Sequence, residues 1–411
     1  MMHLIASHQG RPADDPIFAL HAEATDRKRR GESIVDASIG VLLDDDGALS
    51  ILPSAARAVR EVPPVEWATY APIAGTPEFL RSVVDDLLGG EPELKAAAIA
   101  VATPGGSGAL RHAIANFLEP GHALLTTSWF WGPYGILCDE AERRLETFEM
   151  FRSDGGLDVA ALDGALARLL KAQGRALVVI NDPCHNPTGY SMTDEEWRAI
   201  VACVAARGDE GPVTLLVDLA YFLYSARDPR ALLRHLGPLV GRATVLFAWS
   251  ASKSFTHYGL RVGALVACVG DRVERAKLES ALSYSSRGTW SNCNRGGLVA
   301  IARLLSDPEL SRTCSLERDA LKARLRARVD AFNRHAQDRK LRYPRYDGGF
   351  FVTVFDDRPR QKAEAMRARG VYAVPQVRAG DGGALRVALC AVPERDIPRL
   401  VDALALPHTA T

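Results

Sequence analysis

The stretch Ala248-Trp249-Ser250-Ala251-Ser252-Lys253-Ser254-Phe255-Thr256-His257-Tyr258-Gly259-Leu260-Arg261-Val262-Gly263-Ala264 decides how the chain is read. It follows the apolar, β-branched run 244–247, which places it at the end of a strand. Lys253 lies among small hydroxyl side chains with Gly259 and Gly263 downstream, so a flat ligand can approach it closely. Desolvation, or a nearby cation, lowers an amine's pKa and makes it a usable nucleophile and base. Ser250, Ser252 and Arg261 together can offer hydroxyl and guanidinium donors to one phosphate. Taken alone, the stretch also suits a solvated lysine in a serine-rich loop. The rest of the chain reverses that balance.

The chain has 411 residues, enough for two domains. Hydrophobic residues make up 47% and charged residues 24%, which is ordinary for a soluble globular protein. The formal net charge is +0, so no global field favours nucleic acid or an anionic membrane. The short basic run Arg27-Lys28-Arg29-Arg30 reads as a solvated helix face. Seven cysteines lack zinc-ligand spacing, which argues against a metal site or disulfide framework and for a reducing, cytoplasmic setting. The N-terminal residues lack the apolar stretch of a signal peptide. Asp218 interrupts the most apolar run, residues 212–224, so no membrane span is expected.

Residues 1–30 read as an N-terminal arm and a helix over 16–30. Residues 33–42 read as extended, followed by the turn Asp44-Asp45-Asp46-Gly47. Pro77 opens a helix through Leu88, closed by Gly89-Gly90. Residues 123–127, 176–180 and 213–217 read as buried strands, and Thr193-Asp194-Glu195-Glu196 as a capping box. This alternation implies an α/β domain over 51–306 with a mostly parallel central sheet flanked by helices. After about residue 306 a long charged helix runs to 334, and 349–355 and 385–390 read as strands. That suits a smaller α+β domain over 307–411, completed by 31–50.

Three more motifs can carry chemistry. Thr103-Pro104-Gly105-Gly106-Ser107-Gly108 joins a strand-like run to a helix, whose exposed N–H groups and dipole favour a phosphate. It matches neither G-x-G-x-x-G nor a Walker loop, and a tight strand–helix connection would look the same. Asn181-Asp182-Pro183-Cys184-His185-Asn186-Pro187-Thr188-Gly189 follows a strand and holds Asn186 at its C-terminal edge, where open α/β sheets bind ligands. His185 reads as structural. Asp218, after Leu215-Leu216-Val217, is a carboxylate in a buried setting and needs a cation, unless it caps a turn. A protonated pyridine nitrogen is such a cation, and Tyr221 could then reach the ring oxygen. An imine-forming lysine beside a phosphate clamp is the arrangement that pyridoxal phosphate needs.

In this order the four motifs resemble a pyridoxal-phosphate-dependent aminotransferase of class I/II, fold type I. Arg386, in Leu385-Arg386-Val387-Ala388-Leu389, falls where that family grips the substrate α-carboxylate. The segment around Gly40 resembles the N-terminal lid of the aspartate/aromatic branch. Tyr70-Ala71-Pro72-Ile73-Ala74-Gly75 resembles its Tyr-x-Pro-Ile-x-Gly segment, whose tyrosine reaches the phosphate of a partner subunit. The matches span roughly residues 17–390. The resemblance makes Lys253 the Schiff-base lysine and assigns Gly105, Gly106, Ser107, Ser250 and Arg261 to the phosphate. It pairs Asp218 with the pyridinium, and it gives Tyr221 and Asn186 to the ring oxygen. Trp131 matches the stacking aromatic, with Trp129 as the competing choice. Arg287 falls where the branch's side-chain-binding arginine crosses the dimer interface, or else is a surface arginine.

The resemblance therefore implies a homodimeric transaminase acting on an L-amino acid of aspartate, glutamate or aromatic type and a 2-oxo acid. Tyr134 departs from the branch, which has a histidine there; a tyrosine hydroxyl donates but carries no charge at neutral pH. The segment after Arg287 lacks the family's prolines, which leaves the substrate pocket open. A β-lyase or synthase on the same scaffold shares these residues. A non-catalytic regulator would need a DNA-binding segment, for which the residues before the match are too few.

Overall fold

The protein, a computed structural model, is described over residues 3–12, 16–377 and 382–408; part of the expected N-terminal arm, residues 1–2 and 13–15, lies outside them. The chain divides into two compact units. The larger holds Ser50–Arg326 and Arg345–Gly349, and the smaller holds Met1–Leu49, Ala327–Pro344 and Phe350–Thr411. This division falls inside the long helix Pro308–Asp338, whereas the boundary expected near 306 lies just before that helix.

The first strand, β1 (Val35–Asp36), belongs to the smaller unit. The next seven form one sheet in the larger unit: β2 (Ala98–Pro104), β3 (Ala123–Thr127), β4 (Arg144–Phe148), β5 (Ala176–Asn181), β6 (Val213–Asp218), β7 (Thr244–Ser250) and β8 (Val262–Cys268). Their order across the sheet is β2-β8-β7-β6-β5-β3-β4. Every neighbouring pair is parallel except the two made by β8, which runs against both β2 and β7. The parallel strands β3, β5 and β6 are buried along their whole length, as parallel sheets covered on both faces require, and the antiparallel β8 is buried as fully. The helix Gly105–Phe117 packs Ala109, Leu110, Ala113 and Ile114 into the same core as Leu124, Leu177, Leu216, Leu246 and Leu265.

Local signals set several element ends. The helix Pro77–Leu88 begins with proline at its first turn and is followed by Gly89. Thr193 and Glu196 exchange side-chain and backbone hydrogen bonds in a capping box that opens the helix Asp194–Gly208. Residues 248–250, which open the stretch around Lys253, are the last three of β7 rather than loop.

In the smaller unit, β9 (Phe351–Asp356), β10 (Val371–Tyr372), β11 (Val374–Val377) and β12 (Gly383–Ala388) complete the strands. β12 lies between β11 and β9 in an antiparallel sheet, and β1 pairs in parallel with β10. The helix Pro16–Arg29 is part of this unit. Gly40 passes so close to Phe351 that a Cβ there would lie 2.5 Å from the ring, so only glycine fits without a shift.

Candidate active site

Register brings the chemistry to one edge. Asn181, Asp218 and Ser250 end three parallel strands, and Asn181 stands opposite Asp218. Because β8 runs the other way, it starts where its neighbours end. Val262 therefore pairs with Pro104, which sets Arg261 beside Gly105. A cavity of about 140 Å³ lies at this edge, where open α/β sheets bind ligands. Gly106, Ser107, Trp131, Asn186, Asp218, Tyr221, Ser250, Lys253 and Arg261 all line it. Trp129 is absent from that lining and is 5% exposed.

One end of the cavity is built to hold an anion. Gly106 and Ser107 are in the first turn of a helix, where N–H groups have no intrahelical acceptor. Arg261 donates from Nη1 to Ser252 Oγ at 3.2 Å and to the Tyr258 carbonyl at 3.0 Å. Its φ of 55° lies in the left-handed region, a strain of the kind that binding sites retain. A Cβ on Gly263 would stand 2.5 Å from the Gly105 carbonyl carbon, so the two backbones meet only because residue 263 is glycine, and a Cβ on Gly105 would stand 2.5 Å from Arg261 Nη2.

The other end is built around a buried acid. Asp218 is 5% exposed. Its Oδ2 accepts from Tyr134 Oη at 2.6 Å and its Oδ1 from the Ala220 N–H at 3.1 Å. Burial pushes this carboxyl above its usual range, while the Tyr134 hydroxyl, the Ala220 N–H and the charge of Lys253 pull it back. Burial, with Asp218 beside it, pushes the Tyr134 hydroxyl well up, so it stays protonated and donating. Lys253 Nζ lies 5.2 Å from the centroid of the Tyr221 ring, and Asn186 Nδ2 is 3.5 Å from Tyr221 Oη. The Trp131 ring meets Tyr134 edge-on at 5.7 Å between centroids.

Asn181 ties the strand ends together. Its Nδ2 donates to the Asp218 carbonyl at 2.8 Å, and its Oδ1 accepts from the Asn186 N–H at 2.7 Å. The sequence offered no reason to single it out, because its partner lies 37 residues away. Ala220 was likewise silent, since it contributes through its backbone. His185 is buried with its ring on Thr188 and Thr127, and burial pushes it down to about 3, so it stays neutral.

The remaining expected residues lie away from this cavity or in the other unit. Tyr70 is 84% exposed, and Arg287 is exposed with Nη1 on Ser291 Oγ at 2.6 Å; neither lines the cavity. Gly40 and Arg386 belong to the smaller unit. There Arg386 is 6% exposed, donates to the Ser38 carbonyl at 2.6 Å and lies 4.8 Å over the Phe351 ring. Among the described residues no group of three or more His, Cys, Asp or Glu could hold a metal ion.

These donors fit pyridoxal phosphate: amides, hydroxyls and Arg261 at one end suit a dianion, and the buried Asp218 at the other suits a ring cation. The family model for aminotransferase class I and II matches residues 32–404. The aromatic-amino-acid aminotransferase of Pseudomonas aeruginosa is 28% identical over 408 residues, covering 96% of this chain and 97% of that protein. A crystal structure of an aminotransferase from Anaerococcus prevotii superposes with a TM-score of 0.93 at 30% identity, covering 100% of both chains. An aromatic-amino-acid aminotransferase from Burkholderia pseudomallei, solved covalently bound to pyridoxal phosphate, matches with a TM-score of 0.79 at 25% identity, covering 98% of this chain and 99% of that one. The sheet order, the acid at its edge and the lysine after β7 thus find their explanation together: the chain belongs to the class I and II aminotransferases, on their aspartate/aromatic branch, and is a pyridoxal-phosphate-dependent transaminase.

Proposed function

We propose that the cavity at the sheet edge is where the amino group changes hands, with Lys253 as the reacting amine. Bound there, pyridoxal phosphate supplies an aldehyde that condenses with amines and a cationic ring that accepts the electron pair left by a departing α-proton. Gly105, Gly106, Ser107, Ser250, Ser252 and Arg261 hold the phosphate. Asp218 keeps a negative charge against the ring nitrogen, and Tyr134 keeps Asp218 oriented. Tyr221 and Asn186 donate to the ring oxygen, and Trp131 stacks on the ring. Lys253 Nζ takes the α-proton and returns it. The observation that carries this reading is the buried Asp218, held by two donors in a cavity it shares with Lys253.

The substrate assignment follows from the same branch. Arg386 grips the α-carboxylate by two parallel N–H bonds, and Gly40 marks the lid segment. The donor is an L-amino acid of aspartate, glutamate or aromatic type, and the acceptor is a 2-oxo acid. Arg287 selects a second carboxylate, while Trp131 and Trp290 offer apolar surface to an aromatic side chain. Tyr70 and Arg287 act across a homodimer, supported by the exposed side chains of Trp67, Tyr70 and Tyr284. Residues 51–306 then serve as the cofactor-binding domain, and 31–50 with 307–411 as the small domain. Seven cysteines, all free thiols, support a cytoplasmic location.

Borohydride reduction of the purified protein followed by peptide mass analysis should place a pyridoxyl group on Lys253. Incubation with tyrosine or aspartate plus 2-oxoglutarate should release glutamate, and Lys253→Ala should lower that rate by at least about 10²–10⁴-fold. A label on another lysine, or full turnover in the variant, would end the assignment.

A further inference from the structure

The larger unit contains a second cavity, of about 270 Å³, that shares no lining residue with the first. One wall is a single face of the helix Pro308–Asp338, where Ser311, Cys314, Ser315, Arg318, Asp319 and Lys322 recur with helical spacing. Its charges do not cancel. Asp86 and Arg230 also line it in a 2.7 Å ion pair, and the charge of the buried Asp86 carboxylate acts on Arg318 as well, so one buried acid serves two arginines. Asp319 is exposed, where its charge is screened by solvent. One buried acid therefore faces Arg230, Arg318 and Lys322, and the last two stand four residues apart on one helix face, where like charges repel and a further anion between them would relieve the repulsion.

Arg318 is 9% exposed and held rigidly. Its Nε donates to the Ser254 carbonyl at 2.7 Å, its Nη2 to Cys314 Sγ at 3.4 Å, and its guanidinium lies 4.9 Å over the Phe255 ring. Nη1 makes no hydrogen bond with the described residues. Lys322 is half-buried, and its Nζ has neither a hydrogen bond nor an ion pair with the described residues. A buried guanidinium fixed on two nitrogens, with the third turned to an open space, is preorganised to bind; its ordering cost is already met. Ser315 and Ser311 add hydroxyls about one and two turns before Arg318 on the same face.

We propose that this cavity binds a small oxyanion, a phosphate or carboxylate group, held between Arg318 Nη1 and Lys322 Nζ. The bound anion would share the Arg318 guanidinium with the carbonyl of Ser254, the residue that follows Lys253, and so lie two hydrogen bonds from it. Arg318 is thus a link between a second ligand site and the segment that carries the reacting amine.

The test uses the pyridoxal-phosphate-loaded protein in low-chloride buffer, titrated calorimetrically with inorganic phosphate and, separately, with acetate. Saturable binding of one equivalent of either is expected; the tighter of the two identifies which oxyanion the site prefers. Lys322→Glu should weaken it at least about tenfold, and Lys322→Gln should weaken it less. Crystals soaked in selenate should show one anomalous peak between Arg318 and Lys322, and the peak should vanish in Lys322→Glu. Absence of a peak in this cavity, binding that the Lys322 variants leave unchanged, or an anion seen in crystals without saturable binding in solution would each overturn the proposal. None of these outcomes touches the assignment of Lys253, which borohydride labelling reads separately.

Discussion

Replacing Tyr134 with phenylalanine isolates what the hydroxyl does for Asp218. The tyrosine is 1% exposed, and the substitution keeps the ring, so packing changes by one oxygen atom. The bond removed is a 2.6 Å donation to a buried carboxylate, worth about 1.5–3 kcal/mol because the acceptor is charged. That corresponds to a roughly ten- to hundredfold rise in the proton affinity of Asp218. The sign of the pH effect follows. Burial already holds this carboxyl above its unfolded value of 3.8, so its stabilising contribution is complete below 3.8 and fades as pH rises through the folded value. Losing the Tyr134 bond raises the folded value further and deepens that loss at high pH. Compared in urea at two pH values, the cofactor-free variant should be about 1.5–3 kcal/mol less stable than the parent at the higher, where Asp218 is ionised, and should lose less at the lower, below 3.8, where it is protonated. Pyridoxal phosphate should be retained more weakly, most of all at the lower pH values, where the raised proton affinity leaves Asp218 uncharged against the ring cation, as measured by equilibrium dialysis. A stability loss that is the same at both pH values would refute the reasoning. So would unchanged cofactor retention, since the hydroxyl would then not be supporting an ionised Asp218.

Gly263→Ala should push β8 and the glycine turn apart, since the new Cβ meets Gly105 backbone at 2.5 Å; we expect a loss of about 1–3 kcal/mol with weaker retention of pyridoxal phosphate, read by thermal unfolding and dialysis. In the smaller unit, Arg328 has a fully buried side chain and donates to the carbonyls of Cys390 and Leu43 and to Asp45. Arg328→Met should cost about 3 kcal/mol, at the low end for a buried pair because Asp45 is 48% exposed and can return to water; an unchanged midpoint in denaturant would contradict this. Burial pushes the Asp182 carboxyl up to about 7, against donation from Met192 N and Trp197 Nε1. Its contribution is complete below 3.8 and lost as pH rises toward 7, so Asp182→Asn should flatten the fall in stability between pH 5 and 8. Parallel pH profiles for the two proteins would count against that.

What could be read without a structure was whatever depends on neighbours in the chain. Proline at the first turn and two glycines at the end bounded the helix Pro77–Leu88, and a four-residue capping box opened the helix Asp194–Gly208. The continuous apolar runs of β3, β5 and β6 marked strands buried on both faces. The four motifs, in order, carried the family, because each is a short loop between local elements and the chemistry of lysine, aspartate and glycine is particular. β4 was not foreseen, since Arg144 and Glu146 break any apolar pattern and only pairing with β3 makes it a strand. Nor was the reversal of β8, which hydrogen bonds to two distant strands decide, and with it the meeting of Arg261 and Gly105.

Tertiary structure alone set Asn181 against both Asp218 and Asn186, chose Trp131 over Trp129 for the cavity, and paired β1 with β10 across the length of the chain. The residues proposed to react could be singled out because their chemistry is carried by their own side chains. The residues that aim them could not, because a hydrogen bond between distant strands leaves no trace in the local sequence.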